Sequence, residues 1–179
     1  MTLPASLLLL VAAVTAVRLV ELTVACRNAR WAFDRGGAEY GQRHYPAMVV
    51  LHVCLLVGIL AEAALADRAF MPLIGWPCLA FLALAQAGRG WCMRALGPQW
   101  NTRVIVVPTL PLVTTGPYRW MRHPNYLVVV VEGIALPLVH TAWVTALLFT
   151  LANTAWLVVR IRTENRVLWP VAGAVTAAR

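Results

Sequence analysis

Residues 116–138 read GPYRWMRHPNYLVVVVEGIALPL, and the two halves of this stretch want different solvents. Gly116 to Asn125 is a turn-former rich in arginine, glycine and proline. Tyr126 to Leu138 is an apolar run broken only by Glu132 and Gly133. Pro124 disfavours helical geometry at His123 and is itself suited to the first turn of a helix. The spacing therefore predicts a basic turn that ends at His123 and opens directly into an apolar helix.

The rest of the chain says what that helix enters. The 179 residues are 61% hydrophobic and only 12% charged, against about 25% charged in soluble domains. A single soluble core cannot hide so much apolar surface, so the bilayer is the expected solvent. The formal charge is +8 and all of the basic residues are arginine. These arginines fall between apolar runs, the pattern of membrane topology and not of a nucleic-acid-binding face. Cys26, Cys54, Cys78 and Cys92 have no metal-ligand spacing, and the expected metal content is none.

A spanning helix takes about 20 mostly apolar residues. The runs 3–25, 46–65 and 72–87 meet that need, the last bounded by Arg68 and Arg89 and extendable as an interfacial turn to Leu96. The apolar stretch 126–159 is too long for one crossing. Pro137 and the polar pair His140–Thr141 divide it into a hairpin with arms 126–138 and 142–159, joined by a wet turn. The expected architecture is all-α, an integral membrane helical bundle of about five spans whose last two form a hairpin, within a single domain over 1–179.

Arginines at 27, 30, 35 and 43, at 89, 94, 103, 119 and 122, and at 160, 162, 166 and 179 lie on one side. Arg68 stands on the other. The positive-inside rule then makes the two long loops and the tail cytoplasmic. The loop 26–45 is expected to pack on the membrane surface, and the β-branched run RVIVVP at 103–108 to form a short extended stretch.

Several ionisable or amide groups fall within the spans: Arg18 and Glu21, His52, Gln86, Glu132 and Asn153. At the rise of an α-helix they share a level roughly 5–12 Å beneath the cytoplasmic boundary. Arg18 and Glu21, three residues apart, are placed to neutralise each other. Gln86 and Asn153 suit helix–helix hydrogen bonding. Glu132 is read as an unpaired carboxylate just below the basic turn, and so as a functional candidate.

The string Gly116-Pro117-Tyr118, then Arg122-His123-Pro124 and Tyr126, followed by a hydrophobic hairpin and RIRTENRVL at 161–168, resembles the isoprenylcysteine carboxyl methyltransferase family. The resemblance covers about Arg89 to Leu168. It implies a membrane methyltransferase that takes S-adenosylmethionine from the cytoplasm and a lipophilic acceptor from the bilayer. It assigns the cofactor to His123, Pro124, Tyr126, Arg162 and Glu164. The chain departs from the family pattern at Val128, where glycine is common, and at Asn165, where a second acid is common.

The earlier segment CRNARWAFDRGGAEYGQRHYPAMVVLH at 26–52 is similar to a bacterial subgroup, the membrane O-methyltransferases that accompany type III polyketide synthases. That resemblance implies O-methylation of a hydroxyl on an alkylpyrone or alkylresorcinol, in the bacterial inner membrane with the site facing the cytoplasm. His123 and Glu132 are the expected catalytic residues, as proton acceptors, with His52 a further candidate. Three other readings stand beside this one. Carboxyl methylation of an isoprenylcysteine is the nearest. Membrane reductases of the sterol type carry a similar RHPNY turn and bind NADPH, but have many more spans. A non-enzymatic membrane protein is the last.

Overall fold

The computed structural model describes residues 3–177 and is 75% helical. Five helices follow in order: α1 (Ala5–Phe33), α2 (His44–Leu65), α3 (Pro72–Leu96), α4 (Pro124–Leu138) and α5 (Trp143–Ala177). Of these, α1, α2 and the Trp143–Leu168 part of α5 are long and apolar enough to cross a bilayer. The apolar α4 has 15 residues, and α3 carries Gln86, Arg89 and Arg94 in its second half. Arg179 lies outside the described residues.

The fold is not purely helical. Ala38–Tyr40 (β1) pairs antiparallel with Val104–Val106 (β2), with Glu39 opposite Ile105. The extended stretch at 103–108 is present, and its partner comes from the first loop. That loop is shorter than the composition suggests, because α1 runs on through Cys26–Phe33. Arginine and alanine are good helix formers, and buried Asn28 docks this last turn by donating to the carbonyl of Trp100 at 2.8 Å. The chain reverses at Asp34 to Gly37, where Gly36 holds φ at +76°.

The bundle is apolar outside as well as inside. Leu73 is 88% exposed, Leu9 71% and Leu84 67%, as expected where acyl chains replace water. Inside, Leu7, Val11 and Val14 of α1 meet Leu55 and Ile59 of α2, Leu82 of α3, Leu136 of α4 and Phe149 of α5. Helix α4 packs between α3 and α5, and α5 also packs on α2. A glycine decides one of these contacts, because a methyl group at Gly133 would overlap the Phe149 ring. Gly133→Ala is expected to cost about 1–3 kcal/mol through overpacking, measured as a lower thermal midpoint in detergent. An unchanged midpoint would show that Phe149 has room to move.

The connection between α4 and α5 is not the wet turn that its His–Thr pair suggests. His140 and Thr141 are 2% and 4% exposed. Thr141 adopts φ +54° and donates its hydroxyl to the carbonyl of Ala69 at 3.0 Å, while His140 Nε2 meets the Ser6 hydroxyl at 3.2 Å. Glu62 of α2 accepts from the backbone N–H groups of Val144 and Thr145. A carboxylate thus caps the amino-terminal end of α5, where unsatisfied N–H groups and the helix dipole favour negative charge. Neighbouring segments, not solvent, meet Thr141 and the Nε2 of His140, while His140 Nδ1 is buried with no partner among the described residues.

Candidate functional site

A cavity of about 250 Å³ lies where the carboxyl-terminal end of α3, the connector 97–123, the start of α4 and the later part of α5 meet. Trp31 and Ala32 of α1 complete its wall. The connector is shaped by Gly116, whose φ of +59° and close approach to Ala95 and the Trp91 indole leave no room for a side chain. Pro124 opens α4 with His123 as its extended cap residue. Pro124 is buried and is not among the residues that line the cavity.

On α5, Arg160 and Glu164 stand four residues apart on one helix face. Both reach Tyr126. The Tyr126 hydroxyl donates to Glu164 Oε2 and accepts from Arg160 Nε at 2.9 Å. Arg160 also donates to the carbonyl of Thr102 at 2.6 Å, fixing the connector. His123 stacks on the Tyr126 ring at 5.3 Å, and its Nε2 lies 2.9 Å from Asn165 Oδ1. An amide oxygen only accepts, so the imidazole carries its proton on Nε2. Its Nδ1 then lies 3.9 Å from the Glu164 carboxylate. Asn165, where the family commonly has an acid, sets the tautomer of this ring.

His123, Tyr126 and Glu164 therefore share one wall. Arg162 does not join them: it is exposed and outside the lining. Helix phase explains why, since Arg160 and Glu164 occupy the inward face and the residue midway between them points away. Arg160 is the arginine that the motif alone did not single out.

Glu132 is also elsewhere, and it is paired. Arg89 Nη2 donates to its Oε2 at 2.5 Å, Gln86 Nε2 to its Oε1 at 3.0 Å, and Arg18 forms a further ion pair. Arg18 pairs with Glu21 as its spacing suggests, and Arg89 Nε lies 3.3 Å from Glu21. The sequence reading of an unpaired Glu132 is corrected: two arginines and two glutamates form one buried quartet. Arg89, read as the boundary of the third span, is 5% exposed and belongs to the interior. Its partners come from α1 and α4, so no local spacing could reveal them. A carboxylate clamped by two guanidiniums is a poor proton acceptor, which removes the chemical argument for Glu132 as a base.

Two buried polar atoms on cavity-lining residues, Trp100 Nε1 and Asn125 Oδ1, have no hydrogen-bond partner among the described residues. Buried polar groups are normally satisfied. Both residues line a cavity that also holds Arg160 and Glu164, a set of donors and acceptors that fits a ligand bearing both an ammonium and hydrogen-bonding ring nitrogens. S-adenosylmethionine has both. Burial pushes the Tyr118 phenol above its ordinary range, followed by repulsion from Cys92, so it stands in this wall as a neutral hydroxyl.

Residues 78–170 match the isoprenylcysteine carboxyl methyltransferase (ICMT) family, and the chain belongs to it. The class is that of a membrane methyltransferase; with three helices able to span a bilayer, this is an integral membrane protein. The chain is 38% identical to Bacillus subtilis YpbQ, an uncharacterized protein, over 161 residues, 89% of this chain and 95% of that one. It is 26% identical to an uncharacterized protein of Haemophilus influenzae over 157 residues, 86% of this chain and 90% of that one.

Proposed function

We propose that this protein is an S-adenosylmethionine-dependent methyltransferase that methylates a hydroxyl of a lipophilic acceptor, such as an alkylpyrone or alkylresorcinol. It would work from the cytoplasmic side of the bacterial inner membrane, with all five helices inserted and α4–α5 as a hairpin. The observation that carries the cofactor assignment is the pair of orphaned atoms, Trp100 Nε1 and Asn125 Oδ1, in a cavity shared with Glu164. The arginine asymmetry supports the orientation.

Each residue has a part in this reading. Asn125 Oδ1 and Glu164 accept from the ammonium, Trp100 donates to a ring nitrogen, and Arg160 supplies positive charge for the carboxylate. The stacked rings of His123 and Tyr126 offer aromatic faces to a cation. S-adenosylmethionine supplies a methyl group on a sulfonium sulfur. The chain's contribution is to hold donor and acceptor in line in a site closed to water.

The test is calorimetric titration of S-adenosylmethionine into the protein in lipid nanodiscs. Saturable binding is expected, and Trp100→Phe, which removes one buried donor, is expected to weaken it about tenfold. No binding by the wild type would end the proposal. The family's namesake reaction supports a second reading, carboxyl methylation of a prenylated cysteine. Methyl-labelled cofactor offered with an alkylresorcinol or with a prenylcysteine separates the two by which product carries label.

A further inference from the structure

Beneath the cavity is a smaller crevice of about 30 Å³ between α1, α2, α4 and α5, room for about two water-sized groups. Leu55, Leu136 and Phe149 make it apolar, and Arg18, Glu132 and His52 give it a polar end. Arg18 and Glu132 are engaged with each other and with Arg89 and Glu21. His52 is differently placed. Its Nδ1 lies 2.8 Å from the carbonyl of Met48, and a carbonyl only accepts. The neutral ring therefore carries its proton on Nδ1 and keeps a lone pair on Nε2, which makes no hydrogen bond among the described residues. The Phe149 ring, edge-on at 5.4 Å, holds the imidazole in place.

The crevice and the cavity share a partition. Met48, which fixes His52, has its sulfur 3.2 Å from Arg160 Nη1. Arg160 walls the cavity and bonds Tyr126. On α4, Tyr126 faces the cavity and Val129 the crevice, about 4.5 Å apart along the axis. A group held in the crevice therefore lies about one helical turn from the upper chamber.

We infer that this crevice receives the hydroxyl end of a lipid-tailed phenol or enol, and that His52 Nε2 takes its proton. The inference rests on the methyltransferase reading and narrows its acceptor. In the transfer, the O–H bond breaks, the electron pair stays on oxygen, and the proton passes to Nε2 to give an imidazolium. The charges acting on that ring are Arg18 from α1, Arg89 from α3 and Glu132 from α4, and the Phe149 ring of α5 packs against it. The oxyanion faces Arg18. A hydroxyl needs this deprotonation before it can attack; a carboxylate arrives ionised and does not. Arg18 and His52 lie outside residues 78–170, so the device belongs to the part of the chain beyond the family match.

The experiment uses a long-chain alkyl nitrophenol, whose ionisation is read by absorbance, in nanodiscs without cofactor. The pH midpoint of the probe with wild-type protein is expected to fall by about one unit, a tenfold gain in ionisation, relative to empty discs. His52→Gln is expected to return it to the empty-disc value while leaving S-adenosylmethionine binding by calorimetry intact. Identical midpoints with wild-type protein and empty discs, the result if the crevice holds only water, would overturn the inference. So would a shift that survives in His52→Gln. A wild type that ionises the probe but binds no S-adenosylmethionine would instead overturn the function proposed above and leave the crevice standing.

Discussion

Glu132→Ala is expected to destabilise the bundle by about 3–5 kcal/mol, the usual cost of leaving buried charge uncompensated. The side chain is 5% exposed and answers Arg18, Arg89 and Gln86 together. Its removal leaves two guanidiniums facing Glu21 alone. For a chain of this size the thermal midpoint should drop by roughly 10 °C. Replacing the whole quartet by apolar residues of similar volume (Arg18→Met, Glu21→Leu, Arg89→Met and Glu132→Leu together) should restore most of the loss, because a satisfied buried ion pair is close to neutral against a packed hydrophobic one. A single variant with wild-type stability would mean that the quartet does not hold the helices together.

Glu164→Gln is expected to weaken S-adenosylmethionine binding roughly 10- to 100-fold, the range for a hydrogen bond to a charged group. Among the described residues, Glu164 is the only carboxylate in the cavity lining. The change also gives the Tyr126 hydroxyl a neutral acceptor in place of a charged one, while Arg160 still donates to it. Tyr126→Phe therefore belongs in the same series, to separate ligand contact from the tether between α4 and α5. Arg162→Ala is the control, with affinity expected to stay within twofold because its side chain is exposed and away from the cavity. An equal loss from Arg162→Ala would mean that α5 is turned about its axis relative to this structure.

The membrane class, the start of α3 and the approximate limits of α2 and α4 were legible because each rests on a run of apolar residues stopped by proline, glycine or charge. The RHP turn was legible because proline acts on its immediate neighbour. What escaped depends on partners far along the chain. Cys26–Phe33 looks too polar for a helix until Asn28 is seen bonded to Trp100. Arg89 marks a boundary by composition and an interior by contact. Arg160 and Arg162 are alike in sequence, and only the rotation of α5 tells which one faces inward. His140 and Thr141 read as solvent-loving until Ser6 and Ala69 are found to bond them inside the protein.

The three-residue pairing of Ala38–Tyr40 with Val104–Val106 has an evolutionary consequence. It buckles a front segment beyond the family match onto the ceiling of the chamber that the matched residues build. Under the function proposed above, mutations upstream of that clasp would remodel which greasy molecule is admitted while the donor-handling rear stays untouched. On that reading, relatives that share the rear and differ in front are expected to divide by acceptor.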